Sequence, residues 1–439
     1  MYHGDGEPGR TSLGNVVVAL DWSPNTNHTG FYVAKAKGYY TRAGLKVRLL
    51  GANEKEYEGS YTAGAGDAFP TPCAKLAAGR ATFAMNSPEG AVGWSCPPFS
   101  PDRPQLRVVA AVLQEQSSAL VTLKRSGLDR PAALDGKKYA SYGARFEGRI
   151  VRKMIEHDGG RGEFVEETPP MLGIFGALLN GEYDATWVFT GWEGVEAELK
   201  GVELNAFKMQ VRARRARAPR TPSPPDRARL RLRPRARARD AFWMRVWCDA
   251  RARCAARCRL QDFGVPYGYA PCLLAHPTTL EREPALVRDF LAATAAGFQW
   301  AAANPDEAAE LLVRGARAEN GFEIDPALAA ASQKVLSPQY LTPSGVWGAM
   351  DPKRWEDYVA WLAAEGLLTT FRQSRAPEPG VSVSLDELRA GHAGEPLDPS
   401  SLPQVYTNAF LPDDGGFAPS SGACDVCDAG VLADACVIM

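Results

Sequence analysis

Four short stretches put chemically capable side chains immediately after strand-like runs. In "DWSPNTNHTGFYVAKAKGYY", Asp21 to Tyr40, a single turn holds Trp22, Asn25, Asn27 and His28, more polar residues than a connection requires. A Trp face stacks on a flat heterocycle, and Asn amides both donate and accept around ring nitrogens. The same residues also suit a capped turn with Trp22 packed inward. In "MNSPEG", Ser87 and Glu89 follow the run "ATFAMN". Glu89 suits the exocyclic amine of an aminopyrimidine, as carboxylates suit that of cytosine, or else the positive end of a helix.

In "YGARFEGR", Tyr142, Gly143, Arg145 and Gly148 offer amides and a guanidinium at a helix start. That set suits an anionic group, although Glu147 opposes one; a plain tight turn is the competing reading. In "WVFTGWEG", Trp187, Thr190, Trp192 and Glu193 stand at another strand exit, one Trp for the core and one for a ligand. Tyr267 and Tyr269 in "VPYGYAP" suit hinge packing and ligand stacking equally. His157 and His276 lack companions at metal-ligand spacing, so no metal is expected. No nucleophile elbow, His-Glu-x-x-His or phosphate-binding loop motif occurs.

The elements that must hold these residues alternate. "NVVVAL", "LKVRLL", "ATFAMN", "LRVVAAVL", "ALVTLK", "YDATWVF" and "YAPCLLAH" read as strands. "GFYVAKAKGYYTRAG", "TPCAKLAAG", "EGRIVRKMIEHDG", "MLGIFGALLNG" and "PKRWEDYVAWLAAEGLL" read as helices, and two more meet at Asn304-Pro305. Such alternation predicts an α/β fold with mainly parallel strands. The order predicts two lobes, 15–115 plus 270–412 and 116–210 plus 262–269. Two crossings between lobes leave a ligand cleft that closes by hinge motion.

The net charge of −1 averages two unlike parts. Val211 to Gln261 carries 17 Arg, no Lys and 3 Asp, whereas the remainder holds 33 Lys and Arg against 48 Asp and Glu. The Arg-rich stretch lacks any apolar period, is 51 residues long, starts with a GT codon and ends in a residue codable as CAG. It reads as a retained intron in preference to a basic arm, so no nucleic-acid partner is expected. Composition predicts disorder for 1–14 and 413–439. The ending Cys436-Val-Ile-Met fits a prenylation signal or coincidence, and only prenylation would bring a membrane partner. Cys424-x-x-Cys427 is a weak motif on its own. No signal peptide or long apolar run is evident, and the nine cysteines follow no disulfide pattern, so a reduced, cytoplasmic setting is expected.

The stretches "DWSPNTNHTGFYVAKAKGYY", "YASYGARFEGRI", "YDATWVFTGWEGVE" and "FGVPYGYAP", in that order, resemble the fungal thiamine-pyrimidine synthases. They equally resemble the related bacterial solute-binding proteins for pyrimidines and sulfonates. The resemblance implies a two-lobed, type II periplasmic-binding-protein-like fold, with Trp22 and His28 at matching positions. It also implies, for a synthase, pyridoxal phosphate on a Lys, a His consumed four residues on, and iron at a Cys-rich cluster. Those positions are Asn86 and Gly90 here, and only Cys272 stands at the cluster. The expectation is a protein binding a thiamine-pyrimidine-like heterocycle, without cofactor. The alternative is a divergent 4-amino-5-hydroxymethyl-2-methylpyrimidine phosphate synthase, which would need pyridoxal phosphate and iron.

Overall fold

A computed structural model of the chain describes residues 14–52, 54, 71–97, 99, 103–209, 263–266, 268–371, 383–399 and 405–412. The Arg-rich segment, Tyr267, and the tail with Cys424, Cys427 and Cys436 lie outside the described residues.

The first lobe opens with β1 (Gly14–Ala19), α1 (Thr29–Ala36), α2 (Tyr39–Arg42) and β2 (Leu45–Leu50). It continues through α3 (Pro72–Ala77), β3 (Phe83–Asn86), α4 (Pro88–Ser95) and β4 (Arg107–Ala111). The second lobe holds β5 (Ser118–Leu123), β6 (Lys138–Ala140), α5 (Glu147–His157), β7 (Val165–Glu167), α6 (Ile174–Asn180), β8 (Ala185–Phe189), α7 (Glu193–Leu199) and β9 (Leu204–Phe207). The chain then returns to the first sheet as β10 (Cys272–Ala275). It finishes with α8 (Pro277–Arg282), α9 (Pro284–Ala303), α10 (Pro305–Asn320), α11 (Pro326–Leu336), α12 (Pro352–Ala364) and α13 (Leu385–Arg389).

Helix starts are chemically explicit. Thr71, Ser87, His276, Asp325 and Asp351 each accept a main-chain N–H with the side chain, and each precedes a Pro at the first helical position. Proline has no N–H to leave unpaired there, and its fixed φ suits the helix.

The two sheets share one topology. The strand orders are β2-β1-β3-β10-β4 and β7-β6-β8-β5-β9. The sequence predicts mainly parallel strands, but each sheet is mixed. β1 pairs parallel with β2 and β3, and β6 pairs parallel with β7 and β8. β10 and β5, the strands that enter from the other lobe, pair antiparallel with both their neighbours. A strand arriving from the cleft side runs against strands that end there, which the apolar run alone cannot reveal.

One buried cluster in the first lobe stacks Phe83 on Phe290 at 4.3 Å and Tyr40 on Phe290 at 5.5 Å. Another runs from Ala84 and Val92 through Tyr139, Ile150 and Met154 to Trp355 and Leu362, joining both lobes and α12. Among the described residues no helix is long and apolar enough to cross a membrane.

Arg354 on α12 holds the two crossings at fixed spacing. Its guanidinium donates to the Gln114 carbonyl in the first crossing and the Gly268 carbonyl in the second, both at 2.8 Å. It also lies 3.8 Å from the ring centroid of Tyr269, whose hydroxyl oxygen accepts from the Asp351 amide. Tyr269 is therefore hinge packing, the first of its two expected roles.

Candidate functional site

Strand-exit turns of the two sheets meet along the seam. After β1 the chain passes through Trp22 into a 3-10 turn, Thr26–His28, and then α1. Trp22 is half-buried and meets Tyr142, beyond β6 of the other lobe, edge to face at 5.7 Å and 78°. It also joins an apolar patch with Leu50, Ala52, Met171 and Leu172, the last two again from the second lobe.

The polar part of this turn is mostly internal scaffolding. Asn25 accepts from the Asn27 amide and donates to the Ser23 carbonyl, closing a capping box with His28. His28 is fully buried. Its Nδ1 accepts from the Asn25 amide at 3.2 Å, so the proton of the neutral ring sits on Nε2, facing Asp21 at 2.8 Å. With both ring nitrogens engaged within the turn, His28 fixes the turn's shape. Asn27 is different: the residue is 2% exposed, and its Oδ1 has no hydrogen-bond partner among the described residues. A buried carbonyl oxygen left unpaired is costly.

The Ser87–Glu89 turn also reaches across the seam. Ser87 caps α4 by accepting from the Gly90 amide. Glu89 is buried, and its Oε1 accepts from the Phe146 amide of the second lobe at 2.7 Å. Burial first, and the charge of Glu147 second, hold the Glu89 carboxyl well above the usual carboxylate range. It therefore favours the protonated form, against the expected anionic acceptor for an amine.

The turn expected to cradle an anion already contains one. Glu147 Oε1 accepts from Tyr139 Oη at 2.6 Å and from the Tyr142 amide at 2.9 Å, while Oε2 accepts from the Ala144 amide at 3.1 Å. Arg145 is buried and donates to the carbonyls of Gly93, Pro97 and Thr369. Gly143 adopts a φ of 70° and donates its amide to Ser141 Oγ. Gly148 leaves room for Glu166, whose carboxylate a Cβ at 148 would strike. Within this turn the Gly143 amide is taken by a hydroxyl, the Arg145 terminal nitrogens by carbonyls, and the space beside Gly148 by the Glu166 carboxylate.

The third exit, after β8, is tied to the first crossing. Trp187 is in the core, and Trp192 packs on the first-lobe cluster, so neither indole is presented as a free stacking plate. The amide and hydroxyl of Thr190 both donate to the Ser117 carbonyl. Glu193 is buried and accepts from the Phe189 amide at 3.0 Å; burial pushes its pKa up to about 7, and the charges of Glu196 and Asp21 add to the rise. Asp21 stands in the first lobe, so its electrostatic reach to Glu193 crosses the seam.

Sequence reasoning missed α11. Ser332 bridges Thr26 Oγ1 and the Gly191 carbonyl, one group from each lobe, while Gln333 Oε1 accepts from Thr29 Oγ1 at 2.8 Å. The signals were Asp325-Pro326 as cap and start, then Leu328, Ala329, Ser332, Gln333 and Leu336 at helical spacing.

The positions matching the synthase Lys and His do not fit pyridoxal phosphate. Asn86 has no amine for a Schiff base; its Nδ2 donates to Cys73 Sγ and its Oδ1 accepts from the Ser87 amide. A Cβ at Gly90 would strike the side-chain amide of Asn86, so residue 90 has no room for an imidazole while Asn86 holds this position. Burial keeps the Cys272 thiol protonated. Among the described residues no group of three or more His, Cys, Asp or Glu is placed to hold a metal.

Two α/β lobes of matching topology, with strand-exit turns facing across a double crossing, define the periplasmic-binding-protein fold, and this chain has it. The aliphatic sulphonate binding protein of Escherichia coli superimposes with a TM-score of 0.50 at 10% identity, over 89% of this chain and 97% of that one. The alkanesulfonate-binding protein of Xanthomonas axonopodis pv. citri gives 0.49 at 12% identity, over 85% and 99%. Within that fold, the family model described as NMT1/THI5 like matches residues 25–69, 70–212 and 246–308. The match covers more than half of the chain, which belongs to that family. It leaves 213–245, inside the Arg-rich segment, unmatched. The formylaminopyrimidine-binding protein of Halalkalibacterium halodurans is 23% identical over 363 residues, 81% of this chain and 87% of that protein.

Proposed function

We propose that this chain binds an aminopyrimidine of the thiamine type between its lobes, without chemically altering it. The observation that carries the reading is the Trp22–Tyr142 pair: two half-buried rings, one from each lobe, meet across the seam. A planar heterocycle entering there trades a ring–ring edge contact for stacking on Trp22, and Tyr142 closes from the other lobe. The unpaired Asn27 Oδ1, in the same turn as Trp22, supplies an acceptor for an exocyclic amine. The formylaminopyrimidine-binding relative supports the ligand class. A ring that bridges both lobes would favour a closed state, so binding would drive closure.

The test is tryptophan fluorescence and calorimetry with 4-amino-5-hydroxymethyl-2-methylpyrimidine and its formylamino analogue. Saturable binding is expected for the full chain, with at least a tenfold loss in Trp22→Ala, an aromatic contact being worth about 1 kcal/mol or more beyond its area. Equal affinity in Trp22→Ala, or no binding of either compound, overturns the reading. The synthase alternative makes a separate demand: a pyridoxal phosphate absorbance band in the purified protein, which Asn86 gives no means to form.

A further inference from the structure

α5 turns two faces to different neighbours. Ile150, Val151, Met154 and Ile155 are fully buried in the second-lobe core. Arg149, Arg152 and Lys153 fall on the opposite face at helical spacing. With Glu365, Leu367 and Leu388, this second face lines a cavity of about 190 Å³. Neither Trp22 nor Tyr142 lines it, so the cavity is separate from the cleft.

Arg149 is the unusual member. It is 6% exposed, and only Nη1 has a polar contact, a long one of 3.4 Å to Thr369 Oγ1. Nε and Nη2 are buried without a hydrogen-bond partner among the described residues. Those two nitrogens form the side-on edge of the guanidinium, whose parallel N–H groups match two oxygens of one phosphate or carboxylate. The Phe146 ring, 5.6 Å from the guanidinium carbon, offers a cation a face but no oxygen. Burial, then the neighbouring Arg145 charge, lowers the Arg149 pKa to about 10, so the side chain stays cationic at neutral pH. Around it, Lys153 is tied to Glu156 and Glu365, and Arg152 to Glu156. The lining thus keeps an excess of positive charge; the Glu89 carboxyl acts on the buried cation from a distance, but burial holds it towards its protonated form, and among the described residues no carboxylate hydrogen-bonds the guanidinium.

We propose that this cavity binds a small phosphate-type oxyanion, with Arg152 and Lys153 in its wall and the Nε–Nη2 edge of Arg149, covered in this structure, turning onto the anion as it enters. The excess positive lining favours a dianion over a monocarboxylate. The volume is below the range of about 300–1,000 Å³ typical of drug-sized ligands, which limits the occupant to inorganic phosphate or a short phosphomonoester. The proposal is independent of the pyrimidine reading of the cleft.

The probe is inorganic phosphate, titrated calorimetrically into the full chain at low ionic strength. One saturable site is expected. Arg149→Lys keeps a charge but loses the fork, and should weaken phosphate about tenfold or more while circular dichroism is unchanged. Acetate should bind at least about tenfold more weakly than phosphate. Absence of saturable phosphate binding, undiminished affinity in Arg149→Lys, or acetate binding equal to phosphate each overturns the proposal. Should Arg149→Lys fail to fold, the partly exposed pair Arg152→Ala/Lys153→Ala carries the test. An affinity loss of about tenfold supports the site, and unchanged affinity refutes it.

Discussion

Replacing Glu193 by Gln should flatten the fall in stability with rising pH between about pH 4.5 and 7. The Glu193 carboxyl is moved from an ordinary 4.5 to about 7, first by burial and then by the Glu196 and Asp21 charges. Because its folded pKa is raised, the folded state holds this proton more tightly than the unfolded state. Between the two values the folded state binds more protons, so stability declines as pH rises through the window and levels off above it. A shift of that size, at about 1.36 kcal/mol per pKa unit, sets a ceiling of about 3 kcal/mol. Gln keeps a carbonyl for the Phe189 amide that Glu193 Oε2 now accepts, so the substitution removes the charge without removing the acceptor. Urea unfolding at pH 5, 6, 7 and 8 gives the comparison. Near pH 5 the two proteins should have similar stability; by pH 8 the variant should be more stable by up to about 3 kcal/mol. Glu89 is raised in the same direction and tilts both curves alike, so the difference between them reports Glu193. Parallel curves for the two proteins would refute the assignment.

Arg354→Met should cost about 2 kcal/mol in urea unfolding, since the Gln114 and Gly268 carbonyls lose a charged donor. A loss under about 0.5 kcal/mol, within the range of an ordinary surface change, would show that the two crossings do not depend on it. Gly297→Ala should destabilise by about 1–3 kcal/mol or more, because its Cβ would meet the Gly30 carbonyl and the Ala34 backbone where α1 and α9 approach. A neutral or stabilising result would mean that the two helices are free to separate.

How much of this was legible in the sequence depended on whether a residue's role is set locally. β1 is an apolar run whose neighbours follow from its burial. Asp351-Pro352 and Asp325-Pro326 state their helix starts in two letters. The two lobes follow from the order of strands and helices, whereas the antiparallel pairing of β5 and β10 does not, because an apolar run carries no strand direction. α11 was legible in principle but passed over, because its alanines weaken the apolar stripe to which periodicity responds.

The strand-exit turns state their residue types in the sequence but not their partners, for one physical reason. A residue type states what a side chain can donate or accept; only the fold states which atom reaches it first. Arg145 and Arg149 are four residues apart on neighbouring turns of chain, and composition treats them alike. Arg145 meets three carbonyls through its two terminal nitrogens, leaving only Nε without a hydrogen bond among the described residues. Arg149 meets one distant hydroxyl and leaves its fork unused. Likewise His28 and Asn27 are adjacent: one spends both nitrogens on Asn25 and Asp21, the other keeps a buried oxygen unpaired. Turns rich in Asn, Glu and Arg therefore overstate a ligand site, because such residues first satisfy the amides and carbonyls that every strand exit leaves open. What remains unsatisfied after that local demand is met is the better guide to what the protein binds. By that measure the proposed cleft is marked by Asn27, and the site proposed on the flank of α5 by Arg149.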